Sequence, residues 1–437
     1  MPRIRSIRFL VCLLTFCETE IIMTYQEARE YLFAIEQMHG SKPGLEMMNA
    51  LVKKLGHPEI GLPVIHVAGT NGKGSVLAFL ESILRECNYH TVRYSSPSVF
   101  HYLERLTENG EMISEEKFAA LTGEVKAAAD ALVKEGIGQP TVFELETAMA
   151  FLFAKETKCD FMLLETGMGG RLDATNVVPQ VLCSIITSIS KEHTAFLGDT
   201  PEAIALEKAG IMKNGCPTVI SAHNQMLAQV FEDAAIRADS PLTWGAPTVP
   251  YAIGLLGSHQ PGNAGAAYAA IDILRNSGYD IPESAVVSGF QHTCHPGRFE
   301  KICDNPICVL DGAHNPDAAL RLRETLLELT QKGELPSLRY FVLGIFKDKE
   351  YEEIVRLTAS LAEQIFTVTP SGPRGLDAET LAEYTKAYNA NVYAVYEIEK
   401  AVQLACRQAE ANGGMVLCFG SLSFLGKARA EIEKWRK

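Results

Sequence analysis

Basic charge is in short supply in this sequence. Lys and Arg number 40 against 53 Asp and Glu, a formal net charge of −13. A general nucleic-acid surface needs a basic face, so that class is excluded, while a local basic site for an anionic ligand is not. Paired cysteines are also missing. The 11 Cys are scattered, with no CxxC and no metal-ligand spacing. A disulfide framework is not expected in a chain of this size, so free thiols in a reducing cytosol are. No apolar run reaches the ~20 residues that cross a bilayer. The run Phe9 to Phe16, behind Arg3, Arg5 and Arg8, resembles the start of a signal peptide, but Cys17-Glu18-Thr19-Glu20 is a poor cleavage site. Met23-Thr24-Tyr25 then opens a clean helical pattern, with Thr24 as N-cap and Ala28, Tyr31, Leu32 and Ile35 on one face. Residues 1–22 therefore read as a non-native extension ahead of Met23, and the protein as cytoplasmic. Internal repeats and low-complexity tracts are absent.

What is present centres on Val64-Ile65-His66-Val67-Ala68-Gly69-Thr70-Asn71-Gly72-Lys73-Gly74-Ser75-Val76. An apolar, β-branched run meets a Gly-rich turn with one Lys. Apolar residues at Val76, Phe79, Leu80, Ile83 and Leu84 then follow at helical spacing. Strand, glycine loop and helix is the arrangement that cradles phosphates. Glycines let backbone N–H groups approach, the helix N-terminus adds partial positive charge, and Lys73 adds a full one. The match to the written P-loop pattern is imperfect. Val67 stands where a Gly is usual, and Gly74 separates Lys73 from its hydroxyl residue, Ser75.

Strands and helices alternate through the rest, which implies parallel sheets. Tyr94-Ser95-Ser96-Pro97-Ser98 is a hydroxyl-rich strand end on the side where α/β sheets bind ligands. Thr141-Val142-Phe143-Glu144 starts a long apolar helix, Leu145 to Phe153. Glu144 there has an ordinary account, because the helix dipole favours a carboxylate at that end. The loop Glu165 to Asn176 holds three glycines, Arg171 and Asp173, and reads as functional. Beyond Ser188 to Thr194, Gly198-Asp199-Thr200-Pro201 caps a helix that runs through Lys208-Ala209-Gly210-Ile211. His295-Pro296-Gly297-Arg298 reads as a hinge. Strands at 307–311, 339–344, 364–369, 391–396 and 414–419 then form a second α/β unit. At 437 residues two domains are expected, and we place them at 23–296 and 297–437.

On these segments the chain resembles the folylpolyglutamate synthase / dihydrofolate synthase family, a branch of the Mur ligases. The carrying pieces are His66–Ser75, Ser95–Pro97 with Glu104-Arg105, Phe143-Glu144, Glu165–Asn176, Glu192–Lys213, His259-Gln260 with Asn263, Pro296–Arg298, Asp311–Pro316 and Gly420-Ser421-Leu422. The resemblance implies a P-loop, Mur-ligase-type ATPase domain with a mainly parallel sheet, and a smaller Rossmann-like α/β domain after it. It implies transfer of the γ-phosphoryl of ATP to a pterin-substrate carboxylate, then attack by the amine of L-glutamate. Asn71, Gly72, Lys73, Gly74 and Ser75 would hold the phosphates. Asn263 would meet the base, Arg298 the phosphates and Asp311 the ribose side. Ser96, Glu144 and His193 would hold magnesium at two sites. Lys208 would join them as a carbamate, since a bare ammonium would be repelled. Arg105, His314 and Ser421 would take glutamate, Arg105 because a planar fork suits a carboxylate. The helix with Phe151, and the 118–123 region, would approach the pterin. Ser98 replaces a His common in the family, and His295 stands where Trp is common before Pro-Gly-Arg. A monomer acting on small molecules, without nucleic-acid or membrane partners, is expected.

Two other readings stay open. Another Mur-type ligase would act on a different carboxylate, but its usual extra N-terminal domain has no room between Met23 and Val64. A non-catalytic nucleotide binder would not need Lys73, Glu144, His193, Lys208, Arg298 and Asp311 together.

Overall fold

A computed structural model describes residues 23–38 and 44–436. The proposed extension, residues 1–22, lies outside the described residues, as does Gly40-Ser41-Lys42-Pro43. Two sheets organise the chain. The first is built from β1 (Val64–Ala68), β2 (Thr91–Tyr94), β3 (Leu106–Glu108), β4 (Glu111–Met112), β5 (Phe161–Glu165), β6 (Cys183–Ile186), β7 (Thr218–Ile220) and β8 (Leu242–Trp244). Their spatial order is β4-β3-β2-β5-β1-β6-β7-β8. Only β3 and β4 run antiparallel to their neighbours.

Every residue of β1 is buried, and alternate residues face opposite layers. Val64 joins Met162, Leu164 and the helices Tyr25–Met38, Glu115–Lys134 and Val142–Thr157 on one face. Ile65 and Val67 join Phe161, Leu163 and the helices Lys73–Glu86, Gln260–Asn276 and Glu283–His292 on the other. Because both faces are covered, the strands read as unbroken apolar runs. β1 pairs with β5 on one side and β6 on the other. The strand order therefore reverses beside it, and a crevice opens at the carboxyl ends of these three strands.

The second sheet contains β9 (Glu300–Asp304), β10 (Ile307–Leu310), β11 (Arg339–Leu343), β12 (Gln364–Thr367), β13 (Val392–Ala394) and β14 (Met415–Phe419), in the order β13-β12-β11-β14-β10-β9. Its strands are parallel apart from β9. Five of the six coincide with the strands expected beyond residue 306. The antiparallel β3, β4 and β9 and the edge strand β8 were not expected. Each is short or half exposed, so it leaves little apolar pattern to read. No helix of the described residues is long and apolar enough to cross a membrane.

Candidate active site

The turn after β1 is shaped by what its glycines exclude. A Cβ on Gly69 would lie 1.8 Å from Thr187 Oγ1, and Gly69 has a φ of 149°. Gly72, at φ 93°, caps the helix Lys73–Glu86 in the left-handed region that glycine favours. The Lys73 ammonium folds back on the loop, donating to the carbonyls of Gly69 (2.9 Å) and Thr70 (3.2 Å). It also stands 3.9 Å from Glu165 Oε1 at the end of β5. A second ammonium reaches the same turn. Lys208 Nζ donates to Gly69 O at 2.8 Å and to Glu192 Oε1 at 2.7 Å.

Lys208 is almost wholly buried, and burial brings its ammonium down to about 8, against the pull of Glu192. For Glu192, burial alone would raise the carboxyl. Lys208 and then Lys73 override it and hold the group at about 2. Burial raises Glu165, partly offset by Lys73 and Arg298. The neighbouring His193 has a φ of 46°, rare for a residue with a side chain, and burial lowers its imidazole.

The loop after β5 is anchored from below by β1 itself. Thr175 Oγ1 donates to Asp173 Oδ1 at 2.5 Å, so at 2.8 Å it accepts from His66 Nε2. Asp173 also accepts from the Met168 N–H at 2.8 Å. His66 is fully buried, and burial holds its imidazole at about 3, so it is neutral in the fold. His259 and His314 are likewise held at about 4 by burial. Each such group has its folded value below the unfolded one, so the unfolded chain binds the extra proton. Stability is therefore present above about pH 6.5 and lost as pH falls through the imidazole range, by up to ~1.4 kcal/mol per pH unit for each group. His66→Gln, which keeps a donor for Thr175, is expected to flatten the dependence of unfolding free energy on pH by about one proton's worth between pH 6 and 4. Denaturant titrations across that range measure it, and an unchanged slope would refute neutral burial of His66.

Two cavities open at this crevice. The first is lined by the turn Thr70–Ser75 with Asn263, Arg298, Asp311, His314 and Asp317. The second, about 520 Å³, takes Arg105, Phe143, Glu144, Met168 and Phe196. That size suits a small organic molecule. Ser96, Pro97, Gly167 and His193 line both, so the cavities meet at one wall.

The residues singled out from sequence divide as follows. Asn71, Gly72, Lys73, Gly74, Ser75, Asn263, Arg298, Asp311 and His314 face the first cavity, and Ser96 and His193 the shared wall. Asp311 accepts from the N–H groups of Phe299 and Ala313, both at 2.8 Å, and burial raises its carboxyl. His314 Nδ1 bonds to Gly312 O at 2.8 Å. Arg105 faces the second cavity, pinned by an ion pair to Glu146 and lying 4.7 Å over the Tyr102 ring. Lys208 lies behind the turn.

Glu144 faces the second cavity too, but as the third residue of a capping box. Its Oε2 accepts from Thr141 N (2.7 Å) and Thr141 Oγ1 (2.8 Å), while Thr141 Oγ1 accepts from Glu144 N at 3.3 Å. This box also explains why the helix starts before Leu145. Ser421 is buried and caps the helix Leu422–Trp435, and its neighbour Leu422 touches the first cavity. Phe151 needs correcting. It is fully buried among Phe118, Leu121 and the β2–β5 layer and lines neither cavity. Helical rotation turns it to the core, and Phe143 and Phe196 supply the aromatic faces instead. Reading residues alone missed Glu165, Glu192 and Asp317 as members of the site. The first two lay inside segments already singled out, whereas Asp317 had no signal beyond its place after Asn315-Pro316.

Among the described residues no group of three or more His, Cys, Asp and Glu is placed to hold a metal ion. Ser96 and His193 at the shared wall and the Glu144 carboxylate in the second cavity offer two oxygen donors and one nitrogen, and magnesium, which prefers oxygen, keeps few protein ligands and takes the others from phosphate.

The Mur ligase middle domain family matches residues 67–247, and the Mur ligase glutamate ligase domain family matches residues 297–422. The dihydrofolate synthase/folylpolyglutamate synthase of Bacillus subtilis is 34% identical, over 94% of this chain and 99% of that protein. The fold is similar to Escherichia coli FolC in complex with DHPP and ADP, with TM-score 0.81, 30% identity and coverage of 94% and 98%. It is also similar to the Yersinia pestis folylpolyglutamate synthase/dihydrofolate synthase complexed with AMPPNP and Mn ion, with TM-score 0.79, 27% identity and coverage of 93% and 98%. Together these matches run through both sheets, and this chain belongs to the dihydrofolate synthase/folylpolyglutamate synthase family of Mur ligases.

Proposed function

We propose that this chain is an ATP-dependent ligase that joins L-glutamate to the carboxylate of a folate or of dihydropteroate through an acyl phosphate. The observation that carries the reading is the wall at Ser96-Pro97, Gly167 and His193, where a phosphate-binding cavity meets a partly apolar one. A triphosphate in the first and a carboxylate ligand in the second would bring their reacting ends together there. The carboxylate oxygen bonds the γ-phosphorus and ADP leaves. The amine of glutamate then bonds the acyl carbon, losing a proton, and phosphate leaves.

Two anions approach in the first step, so fixed positive charge must offset their repulsion. Lys73 and the loop N–H groups do this from one side and Arg298 from the other. Asn263 meets the base and Asp311 the ribose. Arg105 and His314 receive glutamate, whereas Ser421, buried and lining neither cavity, serves as the cap of the helix Leu422–Trp435. Ser96, Glu144 and His193 would hold magnesium, which supplies charge neutralisation on the phosphoryl oxygens when bound. The capping bonds from Thr141 fix the Glu144 carboxylate at the cavity wall, as outer-shell partners do for ligands elsewhere. Lys208 as a carbamate would add a third oxygen donor beside the hydroxyl of Ser96 and the carboxylate of Glu144. We further propose a monomer with domains at 23–296 and 297–437, acting in the cytoplasm.

The test offers dihydropteroate and tetrahydrofolate separately, with ATP, magnesium and L-glutamate. ADP, phosphate and a glutamylated product are expected in equal amounts with at least one acceptor. ATP turnover that ignores glutamate, or no product with either acceptor, would overturn the reading. The acceptor that yields product distinguishes addition of the first glutamate from extension of the tail.

A further inference from the structure

Part of the wall where the two cavities meet is carried on one loop, and a carboxylate braces that loop from inside. β2 and β3 are antiparallel neighbours, with Tyr94 opposite Leu106. Residues 95–105 connect them as a long hairpin loop. Its base is tied by the Ser95 N–H, which donates to the Arg105 carbonyl at 2.9 Å. Both ends of the loop hold site residues, Ser96 and Pro97 at the shared wall and Arg105 in the second cavity. The tip packs elsewhere, with the Phe100 ring 4.0 Å from the Arg429 guanidinium.

Glu104 lines neither cavity. Its carboxylate turns into the loop and collects three consecutive N–H groups. Oε2 accepts from Val99 at 3.0 Å and from Phe100 at 3.1 Å, and Oε1 accepts from His101 at 2.8 Å. Successive N–H groups of this kind form a concavity that holds an anion, and here the chain supplies the anion itself. A carboxylate has lone pairs for all three donors and bonds them more strongly than a neutral acceptor. The adjacent Arg105 has separate partners, an ion pair to Glu146 and the Tyr102 ring. Brace and cavity-facing cation therefore sit side by side on one short turn, Tyr102–Arg105.

We propose that Glu104 is a positioning residue for the ligation, whose carboxylate holds the Ser96–Pro97 end of the loop in register with Arg105. The inference rests on the proposed function, which puts the reacting groups at that wall. Without the carboxylate, three N–H groups lose their acceptor at once. A connection this long has none of the tight-turn geometries that fix shorter hairpins. Ser96 then shifts relative to Arg105, and a misplacement of about 1 Å costs about 10²-fold in rate.

Glu104→Ala and Glu104→Gln, with rates expressed per folded molecule, separate this role from plain loop stability. Glu104→Ala is expected to lower kcat and kcat/KM for the acceptor together by about 10²-fold, as when alignment in the transition state alone is lost. Glu104→Gln keeps one oxygen for the N–H groups but turns an amide donor against them, and should lose about tenfold. Formate added to Glu104→Ala is expected to enter the gap left by the carboxylate. It should slow amide hydrogen exchange at residues 99–101 and restore part of the lost rate, with one half-saturating concentration for both. Sodium chloride at equal ionic strength should do neither. Exchange slowed by formate with no gain in rate, or an unchanged kcat in Glu104→Ala, would overturn the proposal. If Glu104→Ala does not fold, Glu104→Gln decides alone: a parent-like kcat sinks the proposal and a lower kcat at unchanged Tm upholds it. Ligation absent from the parent protein overturns the ligase reading and this inference with it, whereas ligation that survives intact in Glu104→Ala overturns the inference alone.

Discussion

Lys73→Met is expected to lower kcat/KM for ATP by about 10²–10³, the usual cost of removing one preorganised donor from developing charge. The ammonium lies at the start of a helix whose N-terminus already favours anions, and its side chain is only 15% exposed. It donates to two carbonyls of the turn, not to a carboxylate, so phosphate oxygens can replace those bonds at little loss. Stability should change far less than rate. Gly69 O keeps its bond from Lys208 in the variant, and the nearest carboxylate to Lys73 is a distant partner at 3.9 Å. Lys73→Arg should not restore the rate, because a planar fork replaces a compact charge in a turn closed by Gly69 and Gly72. Steady-state kinetics with a thermal melt decide the matter. A Tm drop that accounts for the lost activity would show a structural lysine, and an unchanged kcat/KM would remove Lys73 from the chemistry.

The legible and illegible parts of this site differ by physical cause. The turn at Gly69–Ser75 was visible because glycine, lysine and a switch from strand to helix period all fall within a few residues. The strands of the second sheet were visible because helices cover both faces, leaving apolar runs. Glu144 was ambiguous, since Thr-x-x-Glu is both a capping box and a carboxylate at a cavity wall, and the structure gives it both positions at once. Phe151 was misplaced because a helix apolar on nearly every side carries no mark of which aromatic faces the core. The Lys208–Glu192 and Asn71–Asn315 pairs had no local signal. One depends on a loop that turns at His193 with positive φ, the other on the docking of two sheets.

Lys208→Met is expected to cost both stability and activity, and the two losses should separate. Lys208 and Glu192 form a pair whose side chains are 2% and 15% exposed. Removing one partner of a buried pair leaves the other charge uncompensated, at about 3–5 kcal/mol. The residual exposure of Glu192 and its attraction to Lys73 place the expected loss at the low end of that range. Glu192→Gln added to Lys208→Met should recover much of the stability, because a neutral amide carries no such penalty. It should recover no activity if Lys208 acts as a carbamate. That group forms when the neutral amine bonds the carbon of carbon dioxide and releases a proton, which reverses the charge of the side chain. It would then be repelled by Glu192 instead of paired with it. Partial rescue of Lys208→Ala by acetate or propionate, read as product formed in chemically unfolded-corrected enzyme, is the outcome that supports the carbamate. Full activity in Lys208→Ala would refute it. If the double variant regains rate along with stability, the pair is structural and Lys208 has no part in the reaction.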